Sequence, residues 1–364
     1  MVKSTLCLVH YTSAPGGIEL LLPDIINSLD EERCSVFVIR PPGAGKFNVY
    51  EGLPVNVSYG SDNNLVAAFR LWLFARRNRG AIFHGFNTGP FFLLIIRLAG
   101  IRKAVYSIHG TRHFSGLLQR FVRKVAWLLA LSPRYRVTSN SEHSRRVFLD
   151  FVKPLNPAIR VLYNPVSAPR LGAALERVAG GALNIIYTGR LVEGKNMFRW
   201  LEMARAIHGI RSDARFFIYG DGSLKESLIR ESEEHGMQDY LFFMGFTKEL
   251  SMAYRDADLM MFLSEYESFG NAVAESILYG VPVIAGDIPS VREIFRDFPV
   301  FLVRTDNSMK SDILEKINRI SELREAVPEA TRQFRGRFSQ ERHTEGLRDV
   351  YNSLRTDTQT RAEA

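Results

Sequence analysis

The strongest constraint on this chain is an alternation that runs its whole length and occurs as two series. Short apolar runs rich in β-branched residues, at 5–10, 35–40, 81–84, 104–109, 136–139 and 159–163, alternate with longer stretches of helical periodicity. A second series follows at 183–188, 215–219, 241–244, 259–263, 281–285 and 300–303. Between the runs lie patterns such as 197–207, where Trp200, Leu201, Ala204 and Ile207 fall on one face. Continuous apolar strands joined by amphipathic helices make parallel sheets covered by helices. The chain is therefore expected to be α/β, with two doubly wound, Rossmann-like domains facing each other across a cleft. Its 364 residues suit two domains of ordinary size. The boundary is expected in 167–181, a segment rich in Pro, Gly and Ala with no strand pattern. That divides a first domain, 1–166, from a second, 182–340, and leaves 341–364 as a terminal helix with a polar tail.

Charge changes sign at the same boundary. Residues 1–165 hold 21 Lys/Arg against 9 Asp/Glu, and the remainder holds 26 against 30. From position 63 through 141 there are 13 Lys/Arg and no acidic residue. A basic half of this kind favours a polyanion: nucleic acid, a phosphorylated substrate or an anionic membrane face. Two cysteines cannot build a disulfide framework, which suits a reducing, cytosolic setting. No signal-peptide core follows Lys3, and the longest apolar stretch ends at Arg97, far short of a spanning helix.

Several tempting motifs fail on their own chemistry. Pro41-Pro42-Gly43-Ala44-Gly45-Lys46-Phe47 resembles a P-loop, but Arg40 stands where the first Gly belongs and Phe47 where Mg needs a hydroxyl. Asp256-Ala257-Asp258 looks like a metal-holding Asp-x-Asp, but its place before a strand makes Asp258 the better candidate for a residue that opens the strand. His109 and His113 are four apart, yet Gly110 breaks the helix a zinc pair would need. No metal site is expected.

Four separated features agree with one another. Ala14-Pro15-Gly16-Gly17-Ile18-Glu19 puts a glycine pair between a strand and a helix start, where bare N–H groups attract phosphate. Tyr187-Thr188-Gly189-Arg190-Leu191, followed by Gly194-Lys195-Asn196, puts Arg190 and Lys195 at a strand's carboxyl end, positioned to neutralise a diphosphate. Glu267-Ser268-Phe269-Gly270-Asn271-Ala272-Val273-Ala274-Glu275 follows a strand and opens a helix expected to run to Leu278. Gly270 allows close backbone approach, Glu275 can accept two hydrogen bonds from a ribose diol, and Glu267 can bond sugar hydroxyls. Val105-Tyr106-Ser107-Ile108-His109-Gly110 ends a strand in a histidine that either points into the cleft or is a satisfied structural side chain.

These residues resemble the retaining nucleotide-sugar glycosyltransferases of family 4, which have the two-domain GT-B fold. Glu267 through Ile284 is the most specific element of the likeness. Arg136-Val137-Thr138-Ser139-Asn140-Ser141, Leu162-Tyr163-Asn164-Pro165-Val166 and Phe338-Ser339-Gln340-Glu341-Arg342 are further family landmarks. The resemblance implies a nucleotide-sugar donor, most simply a UDP-sugar, with no required cofactor or metal. It implies that Arg190 and Lys195 bind the donor diphosphate and Glu275 the ribose. Glu267 would contact the transferred sugar beside the N–H groups of Phe269, Gly270 and Asn271. Gly16 and Gly17 would approach the donor from the first domain, and His109 would hold a sugar hydroxyl. Gly189 would belong to the same phosphate turn, and Gly220, in Gly220-Asp221-Gly222, would lie near the base. Asn271 and Ser276 depart from the apolar or small residues usual there, which touches specificity. The terminal helix would cross back to the first domain. Retention by front-face attack or through a covalent step is left open.

In this fold the first domain usually takes the acceptor, and here it is the basic one. A glycan or lipid-linked acceptor for cell-surface polysaccharide or lipopolysaccharide is expected, with the enzyme cytoplasmic and peripheral on the inner face of the cell membrane. The segment 115–131 carries Leu117, Leu118, Phe121, Val122, Val125, Leu128 and Leu129 at helical spacing, with Arg120, Arg123 and Lys124 off the stripe. It reads equally as a core-facing helix with a solvated basic face or as one lying in an anionic interface. Two other classes fit parts of the chain. A nucleotide-sugar epimerase would share the fold, and a basic nucleic-acid-binding protein would fit the charge but lacks a reading motif.

Overall fold

The computed structural model describes residues 5–12, 21–29, 33–41, 50–110, 117–153, 157–166, 181–247 and 249–359. The chain forms two units: Met1–Pro165 with Gln340–Ala364, and Val166–Ser339.

The first unit runs β1 (Leu6–Thr12), α1 (Leu22–Ser28), β2 (Cys34–Arg40), β3 (Asn56–Tyr59), α2 (Asn64–Arg77), β4 (Ile82–Phe86), α3 (Pro90–Leu98), β5 (Ala104–Ile108), α4 (Leu117–Ala130), β6 (Arg136–Ser139), α5 (Glu142–Val152) and β7 (Ile159–Val161). Its strands are all parallel, in the order β3-β2-β1-β4-β5-β6-β7. One sheet face is closed by α2, α3, α4 and α5, through Leu71, Phe92, Ile96, Trp127 and Phe148 against Phe37, Phe83 and Tyr106. At α2 and α5 polar caps satisfy the first N–H groups: Asn63 Oδ1 accepts from Leu65 and Val66, and Ser141 Oγ accepts from Ser144.

The second unit runs β8 (Asn184–Thr188), α6 (Met197–Ile210), β9 (Arg215–Tyr219), α7 (Lys225–Glu234), β10 (Leu241–Gly245), α8 (Leu250–Arg255), β11 (Leu259–Phe262), α9 (Asn271–Leu278), β12 (Val283–Gly286), α10 (Pro289–Ile294), β13 (Leu302–Val303), α11 (Met309–Asn318) and α12 (Ile320–Arg337). Its sheet is again parallel, in the order β10-β9-β8-β11-β12-β13. The face of α6 that the periodicity marks is the buried one: Trp200, Leu201, Ala204 and Ile207 are all closed off.

A last helix, α13 (Gln340–Gln359), belongs to the first unit. Leu347, Val350, Tyr351 and Leu354 pack with α1 against Leu8, Val36, Val38 and Val105, and so close the second face of the first sheet.

Among the described residues the alternation foretells twelve of thirteen strands and overlooks β3. That strand sits on the sheet edge, follows Pro54 and mixes Asn56 and Ser58 with Val57 and Tyr59, so it carries no apolar run to announce it. At 300–303 the first half of the expected strand belongs to a 3-10 turn, Pro299–Phe301, leaving a two-residue strand. The P-loop-like segment lies outside the described residues from Pro42 onward, as does nearly all of the expected linker. Asp258 opens β11: its carboxylate accepts from Asn184 N–H (3.0 Å) and Arg324 (3.1 Å), at the amino ends of the strands.

Candidate active site

In a doubly wound sheet the connections leave in opposite directions on either side of one strand pair, and a crevice opens at the carboxyl ends of that pair. In the second unit the pair is β8 and β11, which are hydrogen-bonded neighbours. Of the motifs singled out in the second half, the Gly189–Lys195 stretch leaves β8 and the Glu267–Glu275 stretch follows β11.

The first part of the site is made of backbone. The turn after β8 stacks on the turn after β9, with Gly189 N–H donating to Tyr219 O (3.0 Å), Leu191 N–H to Asp221 O (2.9 Å) and Leu224 N–H to Leu191 O (2.9 Å). Gly220 N–H donates in turn to Gly245 O at the end of β10 (2.8 Å). A Cβ on Gly220 would stand 1.8 Å from the carbonyl oxygen of Gly189, so only glycine permits this approach. The hydroxyl of Tyr187 donates to the carbonyl of Arg190 (3.1 Å) and holds the turn from beneath, while Arg190 itself is exposed.

The second part ties the β8 and β11 loops together. Glu265 N–H donates to Gly194 O (2.9 Å), and the Tyr266 ring lies where a Cβ on Gly194 would be. Lys195 Nζ donates to Glu267 Oε1 in an ion pair whose two side chains are both largely withdrawn from solvent. The same ammonium stands 5.9 Å from the Phe262 ring centroid. Asn196, in the left-handed region at φ 57°, then turns the chain into α6.

The third part is the start of α9. Gly270 adopts φ 110°, and Asn271 is the first helical residue, so the helix's opening N–H groups and positive dipole end lie at the carboxyl end of the sheet. Phe269 is buried edge-on against Phe338 (5.3 Å between centroids) and anchors the loop. Glu275, one turn further on, accepts from the Tyr254 hydroxyl (3.3 Å), which in turn meets the Thr188 hydroxyl (3.1 Å) at the end of β8. Tyr254 is fully buried and stacked on Tyr279 at 4.8 Å. Burial holds the Glu275 carboxyl above the ordinary glutamate range, with the Tyr254 hydroxyl opposing. Sequence reasoning missed Tyr254, because a lone tyrosine in a short helix gives no local sign of its long-range partners. Ser276 is fully buried and donates to Val281 O (3.0 Å), closing the turn into β12.

The structure thus brings Gly189, Arg190, Lys195, Gly220, Glu267, Phe269, Gly270, Asn271 and Glu275 to one end of one sheet. Gly16 and Gly17 lie outside the described residues. His109 belongs to the first unit, where it follows β5 beside Phe86 (ring centroids 5.7 Å apart) and bonds the Asn164 side chain. Burial, reinforced by His343, lowers its pKa to about 3, so the ring is neutral at physiological pH. His343 is likewise buried and lowered to about 4, and it bonds Tyr163 O (2.7 Å). His84 lies deeper, bonded to the Tyr351 hydroxyl (2.7 Å) and to Ser107 Oγ (2.6 Å).

Two parallel doubly wound sheets, one with a glycine-built turn, a Lys–Glu pair and a helix start at its switch point, are the architecture of the GT-B glycosyltransferases. Family models agree over almost the whole length: Glycosyltransferase Family 4 matches residues 15–170, and glycosyl transferases group 1 matches residues 176–335. The chain belongs to the family 4 glycosyltransferases. Among curated relatives, the N-acetylgalactosamine-N,N'-diacetylbacillosaminyl-diphospho-undecaprenol 4-alpha-N-acetylgalactosaminyltransferase of Campylobacter jejuni is 30% identical over 150 residues, 40% of each chain. The Vi polysaccharide biosynthesis protein VipC/TviE of Salmonella typhi is 25% identical over 178 residues, 46% of this chain and 31% of that one. The matched segments therefore span less than half of those relatives. Among solved structures, Anabaena Alr3699/HepE in complex with UDP and glucose shares the fold with a TM-score of 0.78 at 18% identity, over 96% of this chain and 100% of that one.

Proposed function

We propose that the protein transfers a sugar from a UDP-sugar, with retention of anomeric configuration, to a glycan or lipid-linked acceptor used in polysaccharide or O-antigen-type biosynthesis. The observation that carries the reading is the Lys195–Glu267 pair set between the backbone turn at Gly189 and the start of α9. A nucleotide-sugar presents an anionic diphosphate and a neutral sugar, and this site offers cations on one side and a carboxylate on the other. UDP and glucose in the Anabaena structure support the donor. The diphospho-undecaprenol in the Campylobacter relative's name supports a lipid-linked acceptor.

Cleavage of the anomeric C–O bond leaves an oxocarbenium-like sugar and a nucleoside diphosphate, so catalysis must stabilise opposite charges a few ångströms apart. Arg190 and Lys195, with the α9 N-terminus, meet the diphosphate. Lys195 has three donors, so it can serve phosphate while one N–H stays on Glu267. Glu267 steadies the sugar, and the Glu275 carboxylate accepts from the ribose diol. In the first unit, neutral His109 offers a hydrogen bond to a sugar hydroxyl, and that unit takes the acceptor.

Calorimetric titration with UDP and UDP-sugars, paired with an acceptor-dependent transfer assay, tests the reading. The expected result is UDP binding that Arg190→Ala weakens, and UDP release that requires acceptor. Turnover of donor to an isomer without acceptor would identify an epimerase instead and overturn it.

A further inference from the structure

We propose that Lys316 is a site of covalent acylation, and that the group it takes is short and neutral, as acetyl is. Lys316 lies on α11 in the second unit, outside the candidate active site. The proposal goes beyond the transfer reaction and does not depend on it.

The surroundings of Lys316 form a small chamber. α11 packs against β13 and α12, and a cavity of about 160 Å³ lies beside them. Val300, Leu302 and Leu323 give it an apolar wall, and Asp312, Glu315 and Glu322 stand around the half-buried Lys316. Three carboxylates near one ammonium would ordinarily make an ion pair. The structure shows another arrangement. Arg304 holds Asp312 through Nε (2.9 Å) and Nη2 (2.6 Å), and Arg319 bridges Glu315 (3.3 Å) and Glu322 (2.6 Å). Lys316 Nζ donates instead to the carbonyl of Val300 (2.5 Å). Among the described residues no carboxylate stands within ion-pair distance of it, whereas Lys153, Lys195 and Lys225 pair with Asp150, Glu267 and Asp221.

An ammonium set against leucines and bonded to one carbonyl loses hydration that its partners do not replace. Burial holds the Lys316 amine below the ordinary lysine range; Arg319 pushes the same way, while Asp312, Glu315 and Glu322 oppose. Such a lysine sheds its proton more readily near neutrality, and the free amine is a nucleophile. Its nitrogen can bond to the carbonyl carbon of an acyl phosphate or a thioester. The C–O or C–S bond then breaks, its electron pair leaves on phosphate or thiolate, and the proton lost from nitrogen passes to the leaving group through solvent. The amide that results keeps one N–H, which is what the Val300 carbonyl requires. Charge selects the class of group. A succinyl chain or a carbamate would add a further negative charge beside Asp312, Glu315 and Glu322, whereas acetyl adds none and its methyl suits the wall of Leu302 and Leu323.

The test incubates the whole folded protein separately with acetyl phosphate, acetyl-coenzyme A and succinyl-coenzyme A, and follows each lysine by peptide mass spectrometry. Acetylation of Lys316 is expected about tenfold faster than that of Lys153 and Lys225, and its rate should level off at a lower pH than theirs. Urea-unfolded protein should lose the preference, and Lys316→Arg should remove that label alone. Label from either acetyl donor supports the proposal and shows which donor reaches the amine. Acetylation of Lys316 no faster than that of Lys153 and Lys225, or a preference that survives unfolding, would overturn it. Succinylation of Lys316 as fast as its acetylation would overturn the neutral class of the group. Every readout is a mass, so failure here leaves the donor reading untouched, and failure of UDP binding leaves this one.

Discussion

The two units share a topology and differ in how they handle polar groups, and the difference separates their tasks. In the second unit arginines meet carboxylates: Arg292 bonds Asp287, Arg304 bonds Asp312, and Arg319 bridges to Glu315 and Glu322. Its surface charge is largely cancelled locally, and at the switch point Lys195 is paired with Glu267 as well. In the first unit Arg145 and Arg160 also meet carboxylates, but others spend their donors on carbonyls, as Arg70 does on Gly60 (2.7 Å) and Arg79 on Ala99 (3.1 Å). Charge there stays positive, while its buried ionisable groups include four histidines that burial keeps neutral.

Those histidines should give the largest contrast. Burial lowers His10 and His343 to about 4 and His109 to about 3, and holds His84 well below 6.5. All four belong to the first unit. In the unfolded chain each binds a proton as pH falls through 6.5, while the folded form does not until its own lower pKa, so stability drops with acidification across that window. Between pH 7 and 5.5 the loss should be about 1 kcal/mol for each buried histidine. Hydrogen exchange should show β1, β4 and β5 losing protection well before β8 and β11. Equal loss in both sheets would break the contrast.

Next in size is the switch point of the second unit. Lys195→Ala should cut turnover by a factor on the order of 10²–10³ in a steady-state assay, as for a lost charge-stabilising donor. Turnover near that of the native enzyme would remove Lys195 from the mechanism. Gly220→Ala forces a methyl into the Gly189 carbonyl and should cost about 3 kcal/mol in chemical denaturation, with loss of UDP affinity. A stable variant with native affinity would mean that the turn-on-turn stack is dispensable. The smallest effect expected is Tyr254→Phe, which unties Thr188 from Glu275 and should weaken UDP binding by about 1 kcal/mol in calorimetry. Because burial raises the Glu275 carboxyl, UDP affinity should also fall on acidification above the ordinary glutamate range, and it should do so more gently in Glu275→Gln.

What could be read from residues alone follows from range. Strands such as 136–139 and 215–219 carry their signal locally and are found at those bounds. The Glu267–Glu275 spacing was equally legible, because strand, loop glycine and helix start are contiguous in the chain. Tyr254, His343 and the outward stripe of α4 were not. Tyr254 reaches Glu275 and Thr188 across three elements, His343 acts from the far end of the chain, and helical periodicity marks an apolar face without saying which way it points. Edge strand β3 escaped because its side chains answer to solvent more than to a core.

The terminal helix has a consequence for how the molecule is made. Tyr351 bonds His84, and Leu347, Val350 and Leu354 roof the sheet over Leu8, Val36 and Val105. On a ribosome those residues emerge only after Val166–Ser339. The unit begun first is therefore completed only after the second, and until then one apolar face of its sheet is covered by α1 without α13. A chain stopped at Ser339 would hold a full second unit and an open first one, fit for a chaperone or a protease rather than for a substrate.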